Sequence, residues 1–112
     1  MAKATKATIL LVDDEASILE TLSSILEDEG HQVITASSGE SALVKYSESS
    51  PDLVLLDVWM PGMDGIETLK ALKKKNKDIC VIMISGHSSI DTAVHAIKLG
   101  AYDFLEKPLS LD

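Results

Sequence analysis

Cysteine is nearly absent. Cys80 stands alone, so no disulfide can form within the chain. It sits in the apolar run Ile79 to Ile84, where a small buried core residue is expected rather than a reactive thiol. No apolar run is long enough to span a bilayer. Met1 to Thr8 carries two lysines, but no signal-peptide core and small-residue cleavage site follow, and Ile9 to Val12 is too short to be that core. A cytoplasmic protein with no membrane partner is the expectation. Positive charge is scarce as well: 10 Lys and Arg face 18 Asp and Glu, for a net charge of −8. That balance excludes direct nucleic-acid contact by this domain, which would need clustered positive charge. The one basic run, Lys73 to Lys75, reads as a solvated helix end that suits the helix dipole. Repeats, low-complexity stretches and internal linkers are also lacking.

What remains is the make-up of one soluble globular domain: 112 residues, 46% hydrophobic and 25% charged. A chain of this size buries roughly two thirds of its unfolded surface on folding. Ala7 to Val12 is a continuous apolar run, as a buried parallel strand requires. A helix follows, with Ile18, Leu22, Ile25, Leu26 and Glu29 on one face and Gly30 at its C-terminal cap. Gln32 to Ala36 reads as a second strand. Ser37 and Glu40 have capping-box spacing and open a helix through Ala42, Leu43 and Tyr46 that must stop before Pro51. Leu53 to Leu56 is a third strand, ending at Asp57, and Trp59-Met60-Pro61-Gly62 is a loop. Asp64 and Glu67 cap a third helix with Ile66, Leu69 and Leu72 inward. Ile79 to Ile84 is a fourth strand. After the loop Ser85-Gly86-His87, Ser88 and Asp91 resemble a cap for a helix from Ser89 to Leu99. Ile90, Ala93, Val94 and Ile97 form its inward stripe, and Gly100 closes it. Ala101 to Leu105 is a fifth strand, closed by Lys107-Pro108. Strands alternating with helices predict an α/β fold, a parallel sheet with helices on both faces.

In such sheets, sites form at the carboxyl ends of strands, where strand order reverses. The informative polar residues all fall there. Asp13 and Asp14 follow strand one, Asp57 strand three, Ser85 strand four and Lys107 strand five. Core packing does not require polar residues at these ends. If strands one and three are neighbours, three carboxylates converge, and their repulsion raises at least one pKa unless a cation relieves it. Mg²⁺ suits such a site, because it prefers oxygen ligands and commonly binds one or two carboxylates plus phosphate oxygens. A carboxylate can also act as a nucleophile toward a phosphoryl group. That transfer needs mainly positioning and charge neutralisation, which a metal, a lysine and a hydroxyl would supply.

The motifs VDDE at Val12 to Glu15, LLDVWMPGMDG at Leu55 to Gly65, SGH at Ser85 to His87 and GAYDFLEKP at Gly100 to Pro108 resemble the receiver family of bacterial two-component signalling. The likeness covers nearly the whole chain, and the combination is far more specific than any one motif. It implies a flavodoxin-like, doubly wound (βα)5 fold with strand order 2-1-3-4-5. Asp57 matches the phosphoacceptor. Asp14 matches a direct Mg²⁺ ligand, Asp13 one that acts largely through water, and the Trp59 backbone carbonyl would complete the protein's ligands. Ser85 matches the hydroxyl that moves toward the phosphoryl group, and Lys107 the lysine that pairs with a phosphoryl oxygen. The Lys107-Pro108 bond would be cis. Phe104 matches the aromatic switch position, where many relatives carry Tyr. Tyr102, two residues earlier, shares its face without matching that position.

The resemblance further implies a sensor histidine kinase as phosphodonor. The stretch from Ser85 onward is most like receivers of ATPase-type transcription activators, which implies an output module with ATPase and DNA-binding parts, absent from this sequence. The expected fifth helix is largely missing, since only Leu109 to Asp112 follow Pro108, and the chain is expected to be the N-terminal fragment of a longer regulator. The face of helix four, strand five and helix five is where many relatives dimerise, so a homodimer is a candidate assembly.

Ordinary structural roles compete with these readings. Asp13 and Asp14 suit a turn and a helix cap. Ser85 suits a turn, Lys107 a solvated strand end and Phe104 the core. His87 is expected to be an exposed loop histidine. Other functions of similar folds fit less well. An aspartate-nucleophile phosphatase wants a second Asp two residues after the first, and Trp59 is there. A flavin site wants a Ser/Thr/Gly-rich loop after strand one, where Asp13-Asp14-Glu15 would repel phosphate. A degenerate receiver used only for docking would not need the full polar set. The expectation is a phosphorylation-dependent switch that is regulatory rather than an enzyme acting on other molecules.

Overall fold

The computed structural model describes residues 7–86 and 90–107. Five strands and four helices alternate among them: β1 (Thr8–Val12), α1 (Ala16–Asp28), β2 (Gln32–Ala36), α2 (Gly39–Ser49), β3 (Leu53–Asp57), α3 (Gly65–Lys75), β4 (Val81–Ser85), α4 (Ile90–Lys98) and β5 (Asp103–Glu106). The strands form one parallel sheet in the order β2-β1-β3-β4-β5, as expected. Strand order reverses between β1 and β3, so the ends of Val12 and Asp57 flank the crevice there.

Alternation along the strands divides the core in two. Leu10, Val12, Val54, Leu56, Val81 and Met83 point to one face, where Ala42 and Tyr46 of α2, Leu69 and Leu72 of α3 and Ala96 of α4 cover them. Ile9, Leu11, Leu55 and Ile84 point to the other, under Leu22 of α1. Central strands buried on both sides explain why the sequence shows continuous apolar runs there.

Helix ends follow their local chemistry. At α3 the predicted capping box is complete: the Glu67 N–H donates to Asp64 Oδ1 at 2.9 Å, and the Asp64 N–H to Glu67 Oε1 at 3.2 Å. The cap of α2 is Ser38 rather than Ser37, its Oγ accepting from the Ser41 N–H at 3.1 Å. Both residues are serine, and only the second reaches the first turn. Gly30 and Gly100, with φ of 96° and 108°, end α1 and α4. In each case the next N–H reaches back to a carbonyl of the last turn, from His31 to Leu26 and from Ala101 to Ala96.

Further expectations need correction. In α4, Ile90, Val94 and Ile97 are 82%, 46% and 47% exposed; the buried side chain is Ala96, with Leu99 beside it. The face of α4 turned to the core carries Ala96, followed by Leu99, and the three larger residues fall on the opposite side. In α1, Leu19 rather than Ile25 joins Ile18, Leu22 and Leu26 on the core, and Ile25 is exposed. β4 and β5 start two residues late, because Ile79 and Ala101 are buried in the turns before them, and Cys80 is only half-buried. Tyr102 is exposed in the bend before β5, not on a shared face with Phe104. His87, the Ser88 cap, the start of α4 at Ser89, the Lys107-Pro108 bond and the last residues lie outside the described residues. No helix among the described residues is long and apolar enough to cross a membrane.

Candidate functional site

Every sequence-predicted site residue at a strand end lies on the carboxyl edge of the sheet. Asp13 follows β1, its N–H donating to the Ala36 carbonyl of β2 at 3.1 Å. Asp57 is the last residue of β3, and the Val58 N–H that follows is held by the Ile84 carbonyl of β4 at 3.0 Å. Ser85 ends β4 and is fully buried, and its carbonyl accepts from the Lys107 N–H at 2.9 Å. That bond carries the end of β5 across to β4 and delivers the Lys107 side chain to the crevice.

One carboxylate oxygen from each of Asp13, Asp14 and Asp57 lies within 4.8 Å of the others. Asp13 and Asp57 are buried, Asp57 to 4% exposure, while Asp14 faces solvent. The Lys107 ammonium is the counter-charge, with Nζ 2.8 Å from Asp13 Oδ2 and 3.4 Å from Asp57 Oδ1. The other Asp13 oxygen accepts from the Glu15 N–H at 2.9 Å. Asp13 is therefore hydrogen-bonded on both oxygens.

The electrostatics follow from this packing. Burial pushes the Asp57 carboxyl up, the Asp13 charge pushes it further, and Lys107 only partly offsets them, so its pKa rises from 3.8 to about 6. Burial by itself lowers the Lys107 pKa. The hydrogen bond to Asp13 and the charges of Asp57 and Asp13 outweigh it and hold the ammonium above its ordinary value. Asp57 is thus a carboxylate kept under tension by its neighbours, in a setting that a cation would relax. Three hard oxygen donors in reach of one another, with a water-accessible Asp14, fit a divalent ion such as Mg²⁺.

A cavity of about 270 Å³ opens over Asp57, lined by Asp14, Glu15, Asp57, Trp59, Gly86 and Lys107. Half-exposed Trp59 stands at its edge. Phe104 is half-buried and packs against the main core cluster. A larger hollow on α1, lined by Ala16, Leu19, Ser23 and Thr35 among others, includes none of these site residues.

Two residues that stand in the sequence only as parts of motifs matter more than their patterns suggest. Gly65 opens α3 against the backbone of β3: a Cβ there would run into the Asp57 carbonyl oxygen and lie 2.7 Å from the Val58 Cα. Its N–H donates to the Val58 carbonyl at 2.8 Å. A glycine after an Asp cap was the available signal, since close backbone approach is one use of glycine. Glu15 brings a fourth carboxylate to the crevice, with Oε1 3.8 Å from Lys107 Nζ. Its place directly after Asp13-Asp14 was the hint.

Fold and crevice define a receiver: an α/β switch domain with an acidic pocket and a lysine at the carboxyl edge of its sheet. Residues 9–112 match the family described as the response regulator receiver domain. The chain is 47% identical over 106 residues to the nitrogen assimilation regulatory protein NtrX of Azorhizobium caulinodans, covering 93% of this chain and 23% of that protein. It is 47% identical over 104 residues to the transcriptional regulatory protein ZraR of Escherichia coli K12, covering 93% and 24%. The crystal structure of the receiver domain of NtrX from Brucella abortus superposes with a TM-score of 0.86 at 48% identity, covering 91% of this chain and 87% of that one. The chain belongs to the response regulator receiver family, the phosphorylation-dependent signalling switches of two-component systems, and its role is regulatory rather than catalytic. It spans about a quarter of the length of the curated relatives it matches.

Proposed function

We propose that Asp57 is the phosphoacceptor of this switch. The observation that carries this reading is the crevice itself: a buried Asp57 beside the Asp13 and Asp14 carboxylates, within ion-pair distance of Lys107. A carboxylate oxygen of Asp57 attacks phosphorus, the bond from phosphorus to the donor breaks, and the donor leaves with the bonding electron pair. A phosphohistidine of a sensor histidine kinase is the donor this family membership suggests. Asp14, Asp57 and the Trp59 backbone carbonyl would hold Mg²⁺, with Asp13 acting largely through water. The ion would supply charge neutralisation for the transferring phosphoryl group. Lys107, already within 3.4 Å of Asp57, would pair with a phosphoryl oxygen.

The new phosphoryl charge competes with Asp13 for Lys107 and attracts the Ser85 hydroxyl. Ser85 ends the strand from which the chain leads to α4, and β5 pairs with it, Ile84 opposite Leu105 and Ser85 opposite Glu106. A shift of Ser85 therefore reaches Phe104 and α4 through one ladder. The population moves only by the difference in contacts between the two states. We read the chain as the N-terminal receiver of a longer cytoplasmic regulator whose output module, of the ATPase and DNA-binding kind, takes up that shift. The exposed Ile90, Val94, Ile97 and Tyr102 offer the apolar surface a homodimer of such domains would use.

Trp59 is the single tryptophan and lines the cavity, so it reports directly on the site. Beryllofluoride, a phosphoryl mimic, added with Mg²⁺ should change its fluorescence saturably. Asp57→Asn and Asp14→Asn should abolish or weaken the change. A response unaltered by Asp57→Asn, or independent of Mg²⁺, would contradict the assignment.

A further inference from the structure

The assignment of Asp57 gives Glu15 no task, and the following rests on that assignment. We propose that Glu15 is a specificity determinant of the acceptor site, ranking phosphodonors by their negative charge. Glu15 is the N-cap residue of α1, yet its side chain makes no capping hydrogen bond, so its carboxylate is not spent on the helix. The Glu15 N–H is anchored on Asp13 Oδ1, and Glu15 lines the same cavity as Asp57. Its Oε1 lies 3.8 Å from the Lys107 ammonium, and Asp57 Oδ1 lies 3.4 Å from that same nitrogen. The two carboxylates are therefore within about 7 Å of each other, whatever the angle at nitrogen.

Compensation of the acidic charges is uneven. A divalent cation at Asp14 and Asp57, together with the Lys107 ammonium, would balance the three charges of Asp13, Asp14 and Asp57, and Glu15 stands outside their group. Lys107 is drawn closest to Asp13, at 2.8 Å. Glu15, 61% exposed at the side chain, keeps much of its charge where an incoming donor must pass. At about 7 Å through water, one unit charge acting on another changes a rate by roughly threefold. A donor carrying two negative charges is slowed about sevenfold by the same arithmetic. The penalty thus grows with donor charge.

The test is the rate of phosphoryl uptake by the full chain, with Mg²⁺ at low ionic strength, from two small donors. Acetyl phosphate is a dianion near neutral pH and phosphoramidate carries one net negative charge. Glu15→Gln should speed uptake from acetyl phosphate about sevenfold and from phosphoramidate about threefold. Both gains should shrink with added salt. Glu15→Lys should widen the preference for acetyl phosphate further. Equal gains with both donors, unchanged rates or gains indifferent to salt would overturn the inference, while uptake abolished by Asp57→Asn would leave the acceptor assignment standing. A wild-type chain that takes a phosphoryl group from neither donor removes that assignment and this inference with it.

Discussion

Replacing Asp57 with Asn should make the metal-free protein more stable at neutral pH, although it removes the residue the site is built around. The Asp57 carboxyl is pushed from 3.8 to about 6 by burial first and by the Asp13 charge second. Below pH 3.8 it is protonated in both folded and unfolded chains and costs nothing. Between 3.8 and about 6 the unfolded chain ionises while the fold still holds the proton, so stability falls as pH rises. Above about 6 the cost is complete, about 3 kcal/mol at most. The uncharged amide of the variant carries no such cost. The variant's advantage should be about 1 kcal/mol at about pH 4.5 and approach about 3 kcal/mol at about pH 7.5. For a domain of this size the larger figure is roughly a 10 °C rise in melting temperature. Urea unfolding in EDTA at the two pH values measures both numbers. A variant less stable than wild type at the higher pH, or an advantage that does not grow with pH, would refute the electrostatic account of the crevice.

Three further outcomes follow from the same geometry. Mg²⁺ at about ten times its dissociation constant should stabilise wild type by about 1.4 kcal/mol, and Asp57→Asn or Asp14→Asn much less, as read from the melting temperature. Gly65→Ala should cost about 1–3 kcal/mol in urea unfolding, because the added methyl enters the backbone of Asp57 and Val58; a cost under about 0.5 kcal/mol would mean that the turn simply relaxes. Trp59→Asn or Trp59→Glu should hasten loss of the phosphoryl group from the phosphorylated protein, since the indole at the cavity mouth hinders the attacking water; an unchanged dephosphorylation rate would rule that out.

Much of this was legible in the residues. The runs ending in Asp13 and Asp57 mark strands buried on both faces whose polar ends must lie at the sheet edge. Asp64 and Glu67 cap α3 because that box is decided within four residues. What escaped depends on contacts between distant segments. α4 offers Ile90, Val94 and Ile97 as an apolar stripe, but it is Ala96 that is buried in the core. Ser37 and Ser38 are chemically alike, and only the turn after β2 distinguishes them. Gly65 follows an Asp cap and Glu15 follows Asp13-Asp14, but the close approach of Gly65 to Val58 and the pairing of Glu15 with Lys107, far along the chain, are visible only in the folded structure.

Phosphorylation of Asp57 is one covalent event, and intact mass spectrometry after incubation with acetyl phosphate tests it most directly. With Mg²⁺ the chain should gain a single base-labile phosphoryl group. Without Mg²⁺ it should gain almost none, and Asp57→Asn should gain none under either condition. A phosphoryl group that still appears on Asp57→Asn, or a wild-type chain that never acquires one, would contradict the reading of this crevice as a phosphoacceptor.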